Sequence, residues 1–155
     1  MDSYQESIPF LLITVGLISL ISLTAYGSCY GMTLAATASS LYSQKKQVLT
    51  YSYIATIMSS SIFFQAFILV MIIVSRIDKD YSLGVAAAHT VSSLLLGGTG
   101  YAVGILMGNI SKDGFCKLYK QPKFSISFVL LYATAEVILL FAFMGSLTLI
   151  YSGLK

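Results

Sequence analysis

The stretch LLYATAEVILLFAF, residues 130–143, sets a single carboxyl, Glu136, in the middle of an apolar run. Across 124–154 it is the sole Asp, Glu, Lys, Arg or His. That run is long enough for a helix of about 45 Å. A carboxyl at the centre of a membrane span is costly to hold charged and is by default a functional candidate. Its simplest chemistry is reversible uptake of one proton. The plainer alternative is a protonated acid that only hydrogen-bonds a neighbouring helix. No apolar run contains Lys or Arg, so His89 is the one basic candidate for an internal partner. Four residues could hydrogen-bond the carboxyl: Tyr132, one helical turn before it, and Ser60, Ser61 and Gln65 on the second apolar run. Each also fits ordinary helix packing.

The elements that position Glu136 follow from composition. The chain has 155 residues, 57% hydrophobic and only 10% charged, with a mean hydropathy of +0.85. Those values exclude an ordinary soluble domain and indicate an integral membrane protein. The charges leave four windows, 7–44, 47–75, 81–111 and 124–154, the last interrupted only by Glu136. Each exceeds the roughly 20 residues that a spanning helix requires. The expected helices are about 8–42, 48–76, 81–110 and 125–152. They form two tandem hairpins, 1–76 and 81–155. Asp2 and Glu6 stand where a secretory signal would be basic, so the first run is expected to remain as a span.

Lys45 and Lys46 fill the first connection, and Lys112, Lys117, Lys120 and Lys123, with Asp113 alone against them, fill the third. The second, RIDKD, is balanced. The positive-inside rule then places loops 43–47 and 111–124 in the cytoplasm and both termini on the opposite side. The net charge of +3 sits in these short loops and implies no nucleic acid. Tyrosines gather near span ends in LYSQ, TYSY, DYSL and IYSG, as amphipathic rings do at interfaces. Cys29 and Cys116 have no spacing that suggests a disulfide or a metal site. No phosphate loop or nucleophile–base motif is present, so the chain is not expected to be an enzyme by itself.

The two halves repeat. Gly27, Gly31 and Ala35 recur every fourth residue in the first span, as do Gly100, Gly104 and Gly108 in the third, offset by 73 positions. Such stripes let backbones approach closely. Helices 1 and 3 are therefore expected to pack together inside, with helices 2 and 4 outside. The second and fourth spans match at an offset of 76, SSSIFFQAF against AEVILLFAF, which puts Ser60 at the place of Glu136.

The glycine stripes, GYAVG at 100–104, QPK at 121–123, AEV at 135–137 and AYG at 25–27 together resemble the proteolipid, or subunit c, of the vacuolar-type proton-translocating ATPase. In that family a Gln-Pro pair precedes the last helix and the essential glutamate follows the proline by fourteen residues, the spacing from Pro122 to Glu136. Helix 2 departs from the family, reading IMSSSIFFQAF where Met-Ala-Gly and later Tyr-Gly-Leu are common.

The resemblance implies an all-α membrane protein that forms an oligomeric ring with itself or with related proteolipids, glycine-rich helices inside. It implies a stator subunit whose arginine discharges each Glu136, a central-shaft subunit at the cytoplasmic loops, lipid around the ring, and a vacuolar or other acidic-organelle membrane. ATP hydrolysis falls to other subunits. Hydrocarbon favours the neutral acid during rotation, and the stator cation favours the anion. No cofactor is implied, and the transported ion is H+. Sodium is disfavoured because Ile62 follows Ser61 where sodium-coupled relatives carry a Thr-Gln pair. The other readings are a structural or pore-forming proteolipid and, behind it, a small multidrug antiporter, whose carboxylate lies in helix 1. His89 reads as an interhelical hydrogen-bonding residue before a proton relay.

Overall fold

The computed structural model of the protein describes residues 2–77 and 82–152, with side chains from residue 7 onward. The chain forms four α-helices: α1 (Asp2–Ser40), α2 (Lys46–Val74), α3 (Leu83–Lys120) and α4 (Ser125–Ser152), with a 3-10 turn at Pro122–Phe124 leading into α4. All four are long and apolar enough to cross a membrane. Inside lipid a helix satisfies its own backbone, which is why long apolar runs adopt this form. Of the expected calls on topology, Asp78, Lys79 and Asp80 of RIDKD, the start of the third span at Tyr81 and the outermost residues of both termini lie outside the described residues.

The α1–α2 and α3–α4 connections meet at one end of the bundle. There the Lys45 ammonium donates to the Tyr119 carbonyl at 2.7 Å, and Gln47 Nε2 donates to the Pro122 carbonyl at 3.3 Å. Lys45 also lies 4.3 Å from the centre of the Tyr119 ring. At the opposite end Arg76 sits 4.5 Å over the Tyr151 ring, which brings the end of α2 beside the end of α4.

One expectation is corrected here. The third span was expected to stop at 110 and to yield a loop over 111–124; instead α3 runs on to Lys120. The extension is held by packing: Phe115 and Leu118 are buried, and the Phe115 and Phe128 ring centres are 5.0 Å apart. Lys117 and Lys120 occupy the last turn, where cations complement the helix dipole. Pro122 ends it, since the residue before a proline is pushed out of the helical region, and Gln121 is extended at φ −132°, ψ 98°. The first span likewise starts earlier and stops sooner than 8–42, at Asp2–Ser40.

Within the chain α1 and α3 form the most extensive helix pair, and α2 and α4 pack chiefly on their own hairpin partners. The seam is built from small residues. A Cβ on Gly27 would stand 2.6 Å from the Gly100 carbonyl oxygen and 2.9 Å from Tyr101 Cα, and one on Gly104 would fall onto the Gly27 backbone. Gly31 faces Ser59 and Gly104, Gly108 faces Tyr30 and Leu34, and Ala35 is fully buried. These are backbone-to-backbone approaches, as the fourfold spacing implied.

The burial pattern sharpens the repeat. Ile13, Gly16, Leu20, Thr24, Gly27, Gly31, Ala35 and Ala38 are buried in α1, and the residues 73 positions on, Ala86, His89, Ser93, Gly97, Gly100, Gly104, Gly108 and Ser111, are buried in α3. The outer helices keep this same offset: Ala55, Ser59, Ile62 and Ala66 in α2 answer to Phe128, Tyr132, Ala135 and Leu139 in α4. The offset of 76 for α2 and α4 is therefore not the structural register. In the true one Phe63 stands at the place of Glu136, and Ser60 at that of Ala133.

Candidate proton-binding site

Glu136 lies about 17 Å along α4 from its start at Ser125, on the half-buried flank that turns toward α2. Ser61 of α2 meets it: the serine Oγ is 3.1 Å from Glu136 Oε1. The same hydroxyl is 2.7 Å from the Met58 carbonyl one turn earlier. A serine has one proton to donate and lone pairs to accept. With its proton on the Met58 carbonyl, Ser61 can accept from a protonated Glu136. With that proton swung over, it donates to the carboxylate. One contact thus serves both protonation states of the acid.

Gln65 lies one turn beyond Ser61 on α2, and its Oε1 is buried without a hydrogen-bond partner. It adds an acceptor on the same flank of the helix. Flanking Ser61 and Glu136 are exposed apolar side chains, Phe64 and Ile68 of α2 and Val137 and Leu140 of α4, which in a bilayer would keep bulk water off the carboxyl.

Two expected helpers stand elsewhere. Ser60 points away from α4: its hydroxyl donates to the Ile57 carbonyl at 2.7 Å, and it lines a groove of about 220 Å³ with Ala25, Ser28, Cys29, Met32 and Phe63. A step of one residue along a helix turns a side chain by about 100°, enough to separate Ser60 from Ser61. Tyr132 is one turn from Glu136 in sequence, yet its ring is buried against α3. Its hydroxyl donates to the Met107 carbonyl at 3.0 Å and makes a short hydrogen bond with the Ser111 hydroxyl, so it does not bond the carboxyl. The tyrosine's bulk and single hydroxyl place it where the interior offers a buried partner.

The polar residues that Tyr132 does reach were not among the expected ones. Ser59 lies beside its hydroxyl, and Ser28 of α1 donates to the Ser59 carbonyl at 2.9 Å. Further along, Ser92 and Ser146 exchange hydrogen bonds, each hydroxyl donating to the other's carbonyl, at 2.9 and 3.1 Å. The signal lay in the sequence as serines falling on the buried stripes, Ser52 and Ser59 in α2 and Ser92 and Ser111 in α3. His89 is fully buried, with its carbonyl accepting from Ser93 at 2.8 Å. Cys29 and Cys116 form no disulfide, and among the described residues no three His, Cys, Asp or Glu side chains gather as a metal set would.

At the loop end, outside the membrane-spanning part, the neighbouring Cys116 thiol raises the Tyr42 phenol above its ordinary pKa. The Tyr42 and Tyr119 ring centres are 5.2 Å apart, so an aromatic and cationic cluster joins the two connections.

Compared with models of protein families, the chain matches none, and no curated protein matches its sequence.

Proposed function

We propose that the chain is the proton-carrying subunit of a rotary ring in the membrane sector of a vacuolar-type ATPase, each copy taking up and releasing one proton at Glu136. The observation that carries this reading is the half-buried carboxyl deep in α4 with the Ser61 hydroxyl 3.1 Å away, a pairing that accommodates both the acid and its anion. The family resemblance in helix 4 and the duplicated glycine seam support it. In this reading copies of the chain, alone or with related proteolipids, assemble with helices α1 and α3 inward. A stator arginine withdraws the proton from each Glu136 by favouring the carboxylate. A central-shaft subunit rests on the lysine-bearing loop end, which faces the cytoplasm of an acidic organelle, and ATP is hydrolysed by other subunits. H+ is the ion carried: Ser61, Gln65 and Glu136 supply at most four side-chain oxygens, fewer than a hard cation usually gathers.

The test is ATP-driven acidification of vesicles that hold the assembled complex, with Glu136→Gln beside the unaltered protein. Glutamine keeps the shape and cannot carry a proton. Acidification is expected to stop while the ring still assembles. Normal pumping by the variant would overturn the reading and leave a structural proteolipid beside another, working one.

A further inference from the structure

We propose that Tyr132 is a positioning residue for Glu136: its buried hydroxyl fixes the rotation of α4 about its own axis, so that the carboxyl is presented to Ser61. The inference rests on the proton-carrier reading and adds to it how the carboxyl is aimed.

Three observations carry it. The Tyr132 hydroxyl is held by α3 through the Met107 carbonyl at 3.0 Å and the Ser111 hydroxyl, with Ser59 of α2 beside it. Ser111 Oγ also lies 3.1 Å from the same Met107 carbonyl; with one proton on each hydroxyl, one goes to that carbonyl and the other bridges the two hydroxyls. On the far side of Glu136, Ser146 is tied to Ser92 by reciprocal hydrogen bonds at 2.9 and 3.1 Å. Glu136 therefore lies between two polar locks that both join α4 to α3, one a single turn before it and one nearly three turns after it.

A helix pinned at two points along its length cannot swivel without breaking buried hydrogen bonds, and an unsatisfied buried group is costly. Protonation and release then proceed by turning the Glu136 side chain and the Ser61 hydroxyl, with α4 still. Apolar packing alone would not fix that bearing so sharply. The apolar sides of α4 are broad, and in lipid there is little hydrophobic preference between one side and another.

The experiment measures the rate at which a hydrophobic carbodiimide modifies Glu136, across pH, in membranes that hold the assembled complex. Four forms are compared: unaltered, Tyr132→Phe, Ser61→Ala and the double variant. Phenylalanine fills the same slot and removes only the hydroxyl. Tyr132→Phe is expected to change the labelling rate by roughly threefold to tenfold and to displace its pH profile, about the worth of one net hydrogen bond. In the Ser61→Ala background the same change is expected to have no further effect, because Tyr132 acts through the Ser61 contact. An unmoved profile in Tyr132→Phe, or effects that simply add, overturns the proposal. Should Tyr132→Phe fail to assemble, Ser111→Ala removes the partner hydroxyl while the tyrosine stays, and the same two outcomes decide. The carrier reading is tested apart from this by the acidification assay on Glu136→Gln. Lost pumping there with an unmoved Tyr132→Phe profile sinks the positioning role alone. Intact pumping there sinks the carrier reading.

Discussion

In the first hairpin Gly27, Gly31 and Ala35 line the seam, and in the second Gly100, Gly104 and Gly108 line it 73 residues later. Along this stripe the inner helices match, glycine on glycine at two of the three positions and alanine against glycine at the third. The outer helices share only their geometry: α2 buries Ala55, Ser59 and Ala66 where α4 buries Phe128, Tyr132 and Leu139. Small side chains let α2 settle close to α1, with Gly31 against Ser59. Large ones hold α4 on aromatic contacts, Phe128 lying 5.2 Å from the Tyr132 ring and 5.0 Å from that of Phe115. The repeat thus conserves which positions are buried and lets their chemistry diverge. The carboxyl appears on the helix whose packing is the bulkier; both outer helices have polar ties to an inner one, α4 to α3 through Tyr132 and Ser146 and α2 to α1 through Ser52 and Ser59. At the corresponding place α2 carries Phe63, which points outward.

The seam common to both hairpins is where the largest effect is expected. Gly104→Leu would drive a side chain into the Gly27 backbone, which has no flexible end to yield. Overpacking of this kind costs about 3 kcal/mol or more, and the variant is expected to lose its helix pairing. Gly98 has open space where a Cβ would go, so Gly98→Leu is expected to accumulate in membranes as the unaltered protein does. Protease resistance of the two variants in membranes checks this. Equal sensitivity would mean that the seam is not the shared foundation of the hairpins.

A smaller effect distinguishes the outer helices. Phe128→Ala removes the ring that fills the space over Gly114, where a Cβ would come within 2.5 Å of that ring. The cavity is expected to cost about 2 kcal/mol or more, chiefly through lost dispersion contacts. The counterpart change in α2, Ala55→Gly, removes one methyl group and is expected to cost about 1 kcal/mol, mostly as helix propensity. Unfolding in graded denaturing detergent measures both. A larger loss for Ala55→Gly would reverse the view that α4 depends on bulk and α2 on close approach.

Much of this molecule was legible in its sequence, and the illegible parts share a cause. The four spans could be read because apolar length is a property of composition, and the seam could be read because glycine every fourth residue has few other meanings. Glu136 stood out for the same reason, as the one charge type in its run. What could not be read was angular. Matching α2 to α4 by residue type gave an offset of 76, since QAF at 65–67 and FAF at 141–143 end alike. Burial gives 73, because helices repeat the face they bury and not their letters. The length of α3 escaped for a related reason: Lys112, Asp113 and Gly114 look like a loop, while Phe115 and Leu118 beyond them bury and carry the helix to Lys120. Tyr132 was placed beside Glu136 by sequence distance, and a buried hydroxyl on α3 claimed it instead.

The last prediction, whose control is expected to show no effect at all, tests that angular difference at the site itself. Ser60 and Ser61 are adjacent and chemically identical, but Ser61 touches Glu136 at 3.1 Å, and Ser60 lines the groove beside Cys29 and Phe63. Ser61→Ala removes a hydrogen bond to an ionisable group, worth about 1–3 kcal/mol when the acceptor is charged. Carbodiimide labelling of Glu136 is expected to shift severalfold. Ser60→Ala loses only a bond to its own helix backbone, and labelling is expected to stay within error of the unaltered protein. If Ser60→Ala gives the larger shift, the register at 76 is the working one and α2 must turn by about 100° in the assembled state. If Ser61→Ala does, the contact between α2 and α4 in a single chain is already the one that tunes the carboxyl, and neighbouring copies need not supply it.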